Sequence, residues 1–482
     1  MTVLTKLEPS AVFQYFEEIC AIPHGSHNTK QLSDYCVQFA QAHGLRYLQD
    51  ASHNVIIFKD GTAGYEQSAP VIIQGHLDMV CEKTADCVID FETDGLSLCV
   101  QDDLICANGT TLGGDDGIAV AYALAILASE DIPHPPLEVV FTVDEEIGML
   151  GAAALDCSSL HARTMLNLDS EEEGYLLVSC AGGVCAACNL PITRINRSGI
   201  SITLTISGLA GGHSGVEINK GRANATQLLG RALNELNKIT SYSLCAVSGG
   251  LKDNAIPREA MAELVIAPEA ISEMQSFAAK YHQIFGAEYH ATEPSLSFTA
   301  TEGEHGTFSV MDRDSQIRTI AALVNLPNGI QRMSTDIPGL VQTSLNLGIL
   351  TTSKDFVSMH FSVRSSIGTE KEALISKLSN LMCLLGGNVT CTGDYPAWEY
   401  RQDSPLRDLM VEIFKEQYGR EPVIQALHAG VECGLFAGKL PGLDCVSFGP
   451  DILDIHTTNE RMSIASIQRT WKYLLEILKR LK

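Results

Sequence analysis

Residues 74–80 read QGHLDMV and follow directly on the apolar run Ala69-Pro70-Val71-Ile72-Ile73. In an extended chain, residues two apart point to the same side, so His76 and Asp78 would project together from the end of a buried strand. An imidazole and a carboxylate side by side are equipment for holding something. The same kind of ending recurs. The apolar run Leu137 to Val143 leads to Asp144-Glu145-Glu146, and Met165 to Leu168 leads to Asp169 and then Ser170-Glu171-Glu172-Glu173. Cys445 to Phe448 leads, across a Gly-Pro turn, to His456, and Gly113-Gly114-Asp115-Asp116-Gly117 adds two carboxylates where glycines let the backbone turn tightly before a helix.

Converging carboxylates repel one another unless a cation neutralises them, and carboxylate mixed with imidazole, without a local thiolate, suits zinc, manganese or cobalt. The set holds enough ligands for two metals, and a pair of metals that activates water serves hydrolysis. Taken singly, each signal has a plainer reading: a core or surface histidine, a solvated Asp-Glu-Glu turn, an Asp at a helix N-cap. Their joint placement at strand ends is what points to one shared site, because open α/β sheets bind ligands beyond the carboxyl ends of their strands.

The elements that must position these residues alternate through the first part of the chain. Residues 10–22 and 29–43 have helical periodicity, the second stretch stopped by Gly44; 55–58, 71–73, 137–143 and 165–168 read as strands, and 117–128 and 148–155 as helices. Apolar strands interleaved with helices predict a mostly parallel α/β sheet. After Cys188 the texture changes: residues 200–208 and 356–364 alternate as strands, each followed by a long helix, 225–238 and 371–385, a weak echo of a duplicated α+β unit. From Pro405 the α/β texture returns, with a helix at 405–418, strands at 422–427 and 445–448, and a terminal helix at 463–481. One domain inserted into another explains this order, with boundaries expected at 1–187, 188–400 and 401–482.

Composition narrows the function classes. With 58 acidic against 33 basic residues, the net charge of −25 repels phosphate backbones and anionic membranes, so neither nucleic acid nor membrane is an expected partner. The longest apolar run, Ile118 to Ala128, is well short of the ~20 residues a spanning helix needs. The first residues carry one lysine, then acids, and no small-residue cleavage site, which makes a cytoplasmic location the expectation. Fifteen cysteines, odd in number and scattered, fit reduced, mostly buried thiols, and Cys185-Ala-Ala-Cys188 has no second pair at zinc-finger spacing.

The motifs GHLDMV (75–80), GTTLGGDDG (109–117), VDEEIGMLGA (143–152), NLDSEEEG (167–174), GGHSG (211–215), NAIPRE (254–259), HAGVECG (428–434) and DIHTTNE (454–460) run in order along the chain. Together they resemble the aminoacyl-histidine dipeptidase (peptidase D) branch of a zinc peptidase family that also holds acetylornithine deacetylase, glutamate carboxypeptidase and a broad dipeptidase. The resemblance implies a di-zinc catalytic domain with a mostly parallel central sheet flanked by helices, interrupted by an inserted α+β lid domain. It implies that Asp115 bridges two zinc ions, with His76 and Asp169 completing one shell and Glu146 and His456 the other. Asp78 would orient His76. Glu145 would be the general base, moving a proton from the attacking water to the leaving amine. His213, in GGHSG, resembles the family's lid histidine, which donates to the tetrahedral oxygen.

Asn254 and Arg364 are the candidates for gripping the substrate's C-terminal carboxylate, Arg because its fork matches a carboxylate. Glu432 is a candidate acceptor for the substrate's free α-amino group, with a helix N-terminal acid as the plainer reading. The chain departs from the branch's usual Ala and Asn at Gly114 and Asp116, and the added charge bears on metal preference. The inserted segment is about twice as long as the lid of the small dimeric branches, so His213 can come from the same chain; a homodimer is allowed but not required.

The expected activity is hydrolysis of unblocked dipeptides, Xaa-His and the β-alanyl-histidine type foremost, with small dipeptides as partners and zinc, or manganese or cobalt, as cofactor. A broad-specificity dipeptidase or N-acyl amino acid deacylase is the alternative within the family. A catalytically silent metal- or peptide-binding protein would have lost the base or a ligand, yet Glu145, Glu146, Asp115 and His456 are all present. A related di-zinc aminopeptidase without a large lid does not explain the split α/β texture.

Overall fold

The apolar runs at 71–73 and 137–143 are fully buried, as strands covered on both faces must be, and they lie side by side in parallel register from Val71↔Leu137 to His76↔Thr142. In the computed structural model, which describes residues 3–482, they form the centre of an eight-stranded sheet. Its order is Arg46–Gln49, Val55–Lys59, Leu137–Thr142, Val71–His76, Thr164–Asn167, Asp444–Ser447, Tyr175–Cys180, Val423–Leu427. The inner four strands are parallel, and the pairings of 46–49 with 55–59 and of 55–59 with 137–142 are antiparallel. Parallel neighbours end on the same edge, so the segments after His76, Thr142 and Asn167 leave the sheet together.

This sheet belongs to the first of two units, formed by Met1–Cys180, Tyr400–Ala426 and Val431–Lys482. The helix Gly114–Ala128 is interrupted by non-helical Asp115 and Asp116; from Gly117 on it is apolar all round and buried to Leu127, as a core helix should be. Helices Ser10–Cys20, Pro405–Tyr418 and Ile464–Arg480 bury one stripe each. A smaller four-stranded sheet orders Ile452–Leu453, Arg461–Ser463, Leu104–Ala107 and Leu98–Gln101. Two of its strands bracket the loop that carries His456, and a third runs into the segment that carries Asp115.

The second unit, Ala181–Glu399 with Leu427–Gly430, is an antiparallel sheet with helices Ala225–Leu236, Ile271–Glu288, Arg313–Asn325 and Gly368–Leu384 around one apolar core. Its first boundary falls before Gly182 instead of after 187, because Gly182–Pro191 is a strand paired with Phe356–Ser365 on one side and Asn388–Tyr395 on the other. The strand expected at 200–208 begins at Arg194: residues 194–199 are mostly polar and exposed, and their pairing with Ser297–Met311 leaves no apolar alternation to read. Among the described residues no helix is long and apolar enough to cross a membrane.

Candidate functional site

His76 is the last residue of its strand and is 1% exposed. Its Nδ1 donates to the backbone carbonyl of Asp78 at 2.9 Å, which turns Nε2 toward Asp115 Oδ1 at 3.1 Å and Asp169 Oδ1 at 3.7 Å. The other oxygen of Asp115 lies 3.2 Å from His456 Nε2, and that nitrogen is 2.8 Å from Glu146 Oε1. Two sets of donors, His76 with Asp169 and His456 with Glu146, thus share the one carboxylate of Asp115. Glu146 Oε1 is buried without a hydrogen-bond partner, 2.8 Å from His456 Nε2, so a polar atom of this cluster is left for a ligand. A cation fits there.

The electrostatics agree. Burial lowers the proton affinity of His76, but Asp115, Asp78 and Asp169 more than offset it and hold the imidazole well above its ordinary value. Asp115 and Glu146 push His456 up to about 10. Asp169 is raised well above the carboxylate range by burial and by Asp116 and Asp115. Such a cluster binds protons until a metal displaces them. His456 also sits at φ 61°, a left-handed backbone uncommon outside glycine and typical of functional loops.

Asp116 joins this group. It is 1% exposed, follows Asp115 through a cis peptide bond, and its Oδ2 accepts from the backbone N–H of His76 at 3.2 Å. With His76 and Asp169 it forms a second set of atoms within reach of a single ion. The approach is close enough that a Cβ on Gly75 would stand 2.5 Å from Asp116 Oδ2, which is why GHLDMV needs its glycine.

Asp78 is 3.5 Å from His76 Nδ1 through its carboxylate, but its stronger bonds go elsewhere. It accepts from Ser26 Oγ at 2.9 Å and from the backbone N–H groups of Glu145 at 2.9 Å and Glu146 at 3.3 Å. One carboxylate therefore fixes the turn that presents both glutamates. Burial pushes Glu145 up to about 8, with Glu432, Glu146 and Asp115 adding to it. Glu460 received no role from the sequence, yet it is 3% exposed and accepts from the backbone N–H groups of Leu112 (2.9 Å), Gly113 (3.3 Å) and Gly114 (2.8 Å). It holds the segment leading to Asp115.

Glu432 differs from its expected place. Its side chain is fully enclosed, with Oε2 accepting from Gln74 Nε2 at 2.6 Å and Thr142 Oγ1 at 2.7 Å, so it presents no open face to a substrate amine. Burial pushes it up to about 7.

The second unit carries its own polar cluster. His213 lies on a two-residue ribbon paired with Ala255, and Ser214 N–H donates to the carbonyl of Asn254 at 2.8 Å. His213 Nδ1 accepts from the N–H groups of Gly215 and Val216, both at 3.2 Å, so a neutral ring carries its proton on Nε2. Burial and the nearby Arg364 lower its proton affinity and keep it neutral. Arg364 donates through Nη1 to Tyr395 Oη at 3.1 Å, and its buried Nε has no partner. Asn254 is exposed. His428, which the sequence left without a role, is 6% exposed, bonds Ser344 Oγ through Nε2 at 2.7 Å, and leaves Nδ1 buried and unpaired. Burial, with Arg364 and His213, brings its pKa down to about 3. A Cβ on Gly215 would lie 2.5 Å from the His428 carbonyl, so GGHSG needs its last glycine where these two segments meet.

Comparison with known proteins follows the same lines. The model of peptidase family M20/M25/M40 matches residues 72–480. The chain is 38% identical over 483 aligned residues to the "Cytosol non-specific dipeptidase" of Escherichia coli, covering 99% of both proteins. It superposes on the crystal structure of aminoacylhistidine dipeptidase from Vibrio alginolyticus with a TM-score of 0.93 and 37% identity, covering 99% of this chain and 97% of that one. Aminopeptidase PepT from Bacillus cereus shares the fold at 15% identity and a TM-score of 0.56, covering 98% of this chain and 99% of its own. A family match across most of the chain and a full-length relative place this protein in peptidase family M20/M25/M40, among the metallopeptidases.

Proposed function

We propose that this chain hydrolyses unblocked dipeptides in the cytoplasm, with Xaa-His substrates, including β-alanyl-histidine, preferred. The observation that carries the reading is the Asp115 carboxylate shared between His76 and His456, with Glu145 on the adjoining turn. Dipeptidases named for the cytosol and for aminoacyl-histidine substrates are among the similar proteins.

In this reading His76, Asp169 and Asp115 hold one divalent cation and His456, Glu146 and Asp115 a second, zinc being the ion that carboxylate and imidazole donors suit best. Bound there, the cations supply Lewis acidity and make water available as hydroxide near neutral pH. The chain's own work is proton transfer and positioning. Glu145, held on the turn beside the ligand Glu146, takes the proton from the attacking water and returns it to the leaving amine. Asp78 keeps Glu145 in place through the backbone. His213, neutral with Nε2–H free to donate, serves the oxygen that gains charge as the carbonyl becomes tetrahedral. Arg364 and Asn254 take the substrate's C-terminal carboxylate, and the unpaired Nε of Arg364 supports that role.

The test is a panel of Gly-His, β-Ala-His, Leu-Gly and an N-acetyl amino acid offered to zinc-loaded protein. Faster release of histidine from the first two, with the N-acetyl compound untouched, is expected. Equal turnover of Leu-Gly would favour the broad-specificity reading that the name of the Escherichia coli relative supports, and cleavage of the N-acetyl compound alone would overturn the dipeptidase reading.

A further inference from the structure

The hairpin of strands Leu98–Gln101 and Leu104–Ala107 places Cys99 directly opposite Cys106. Directly opposed residues of an antiparallel pair have Cα atoms roughly 4.5–5.5 Å apart, inside the span a disulfide bridges, and their side chains leave the same face. Both thiols are free and half-buried, and they interact with one another. Cys99 is half-buried on the edge strand of the four-stranded sheet. No other two cysteines are register partners in the strand pairings of the described residues. Cys433 and Cys445 also interact, but both are buried beyond the reach of a solution oxidant.

We propose that Cys99 and Cys106 form a reversible disulfide site. The co-substrate is a low-molecular-weight disulfide such as oxidised glutathione. The thiolate of Cys99 attacks one of its sulfurs and expels a thiolate; Cys106, as thiolate, then attacks the mixed disulfide at Cys99 and expels the second. One S–S bond is made for one broken, the protein loses two protons, and the two released thiolates take up two. The new bond ties the edge strand to the strand that runs on toward Asp115 and pairs with Arg461–Ser463 after the His456 loop.

The test equilibrates metal-loaded protein with mixtures of reduced and oxidised glutathione, quenches with acid, alkylates, and weighs the intact chain. The expected result is the joint loss of two alkylatable thiols without added glutathione mass, reversed by dithiothreitol. That loss should vanish in Cys99→Ser and in Cys106→Ser and persist in Cys433→Ser. Persistence of the same loss in the Cys99→Ser/Cys106→Ser double variant, or a wild type that gains only glutathione adducts, would overturn the proposal.

Discussion

Asp78 shows how one carboxylate can hold several groups of a loop at once. It accepts from two successive backbone N–H groups, those of Glu145 and Glu146, and also lies beside His76. Asp78→Asn keeps the shape but removes the charge and one acceptor. We expect a fall of about 10–100-fold in metal affinity or kcat/KM with little change in KM, read by zinc competition and by steady-state kinetics. His428 gives a prediction for stability. Its pKa in the fold is about 3, below the ordinary ~6.5, so the folded chain stays neutral at this residue while the unfolded chain takes up a proton. The sign follows: the contribution is fully present above about pH 6.5 and is lost as pH falls from there toward 3. His428→Gln should therefore cost about 1 kcal/mol near pH 7.5, through the lost Ser344 bond, and that deficit should shrink toward pH 4.5 in urea denaturation. A deficit that grows on acidification would contradict the neutral, buried assignment. At this scale the sequence located side chains wherever placement follows from strand ends, as for His76, Glu145 and Asp169, which the fold gathers in one region. It was silent on Glu460 and His428, whose partners at Leu112–Gly114 and Ser344 are far away in the chain, and of its two readings of Glu432 the helix N-terminal acid is the one that the enclosed side chain at the start of Glu432–Lys439 fits.

Elements were legible where apolar periodicity sets them. The helix read from Gly117 is continuous from there, after non-helical Asp115 and Asp116, and the strand read at 71–73 runs on to His76, because Gln74 is buried and hydrogen-bonded within the unit, which its polarity conceals. The hairpin of 98–101 and 104–107 went unread. Its signal was present, two short runs around Asp102-Asp103, but the runs are only four residues each. That hairpin matters because its second strand feeds the segment that Glu460 pins. Glu460→Gln would set an amide against N–H groups that now meet carboxylate oxygens, costing about 1–3 kcal/mol. The expected outcome is a lower thermal midpoint together with faster zinc loss to a chelator. A lowered midpoint with unchanged zinc loss would show that the segment does not depend on this anchor.

For the whole molecule, a chain of charge −25 gathers Asp115, Asp116, Asp169, Glu145 and Glu146 into one buried or half-buried region of its first unit. Cations held there bind the folded chain and not the unfolded one, so stripping them should destabilise it by about 3–4 kcal/mol per ion when the free metal had stood at several hundred times its Kd. Scanning calorimetry with and without chelator measures this; an unchanged trace would argue against a resident metal. The inserted order of the two textures was visible in the sequence because apolar strands gave way to alternating ones near Cys188, whereas the exact junction depended on pairing partners at Phe356–Ser365 and Asn388–Tyr395. Metal-dependent hydrolysis with Glu145 as base is tested most directly by a zinc titration of metal-stripped protein, following Gly-His hydrolysis and bound metal together, for the wild type and Glu145→Gln. Activity that rises to a plateau at two zinc ions per chain, with the variant binding both yet ~10²–10⁴-fold slower, is the expected result. Full activity without metal, or a variant as fast as the wild type, would contradict it.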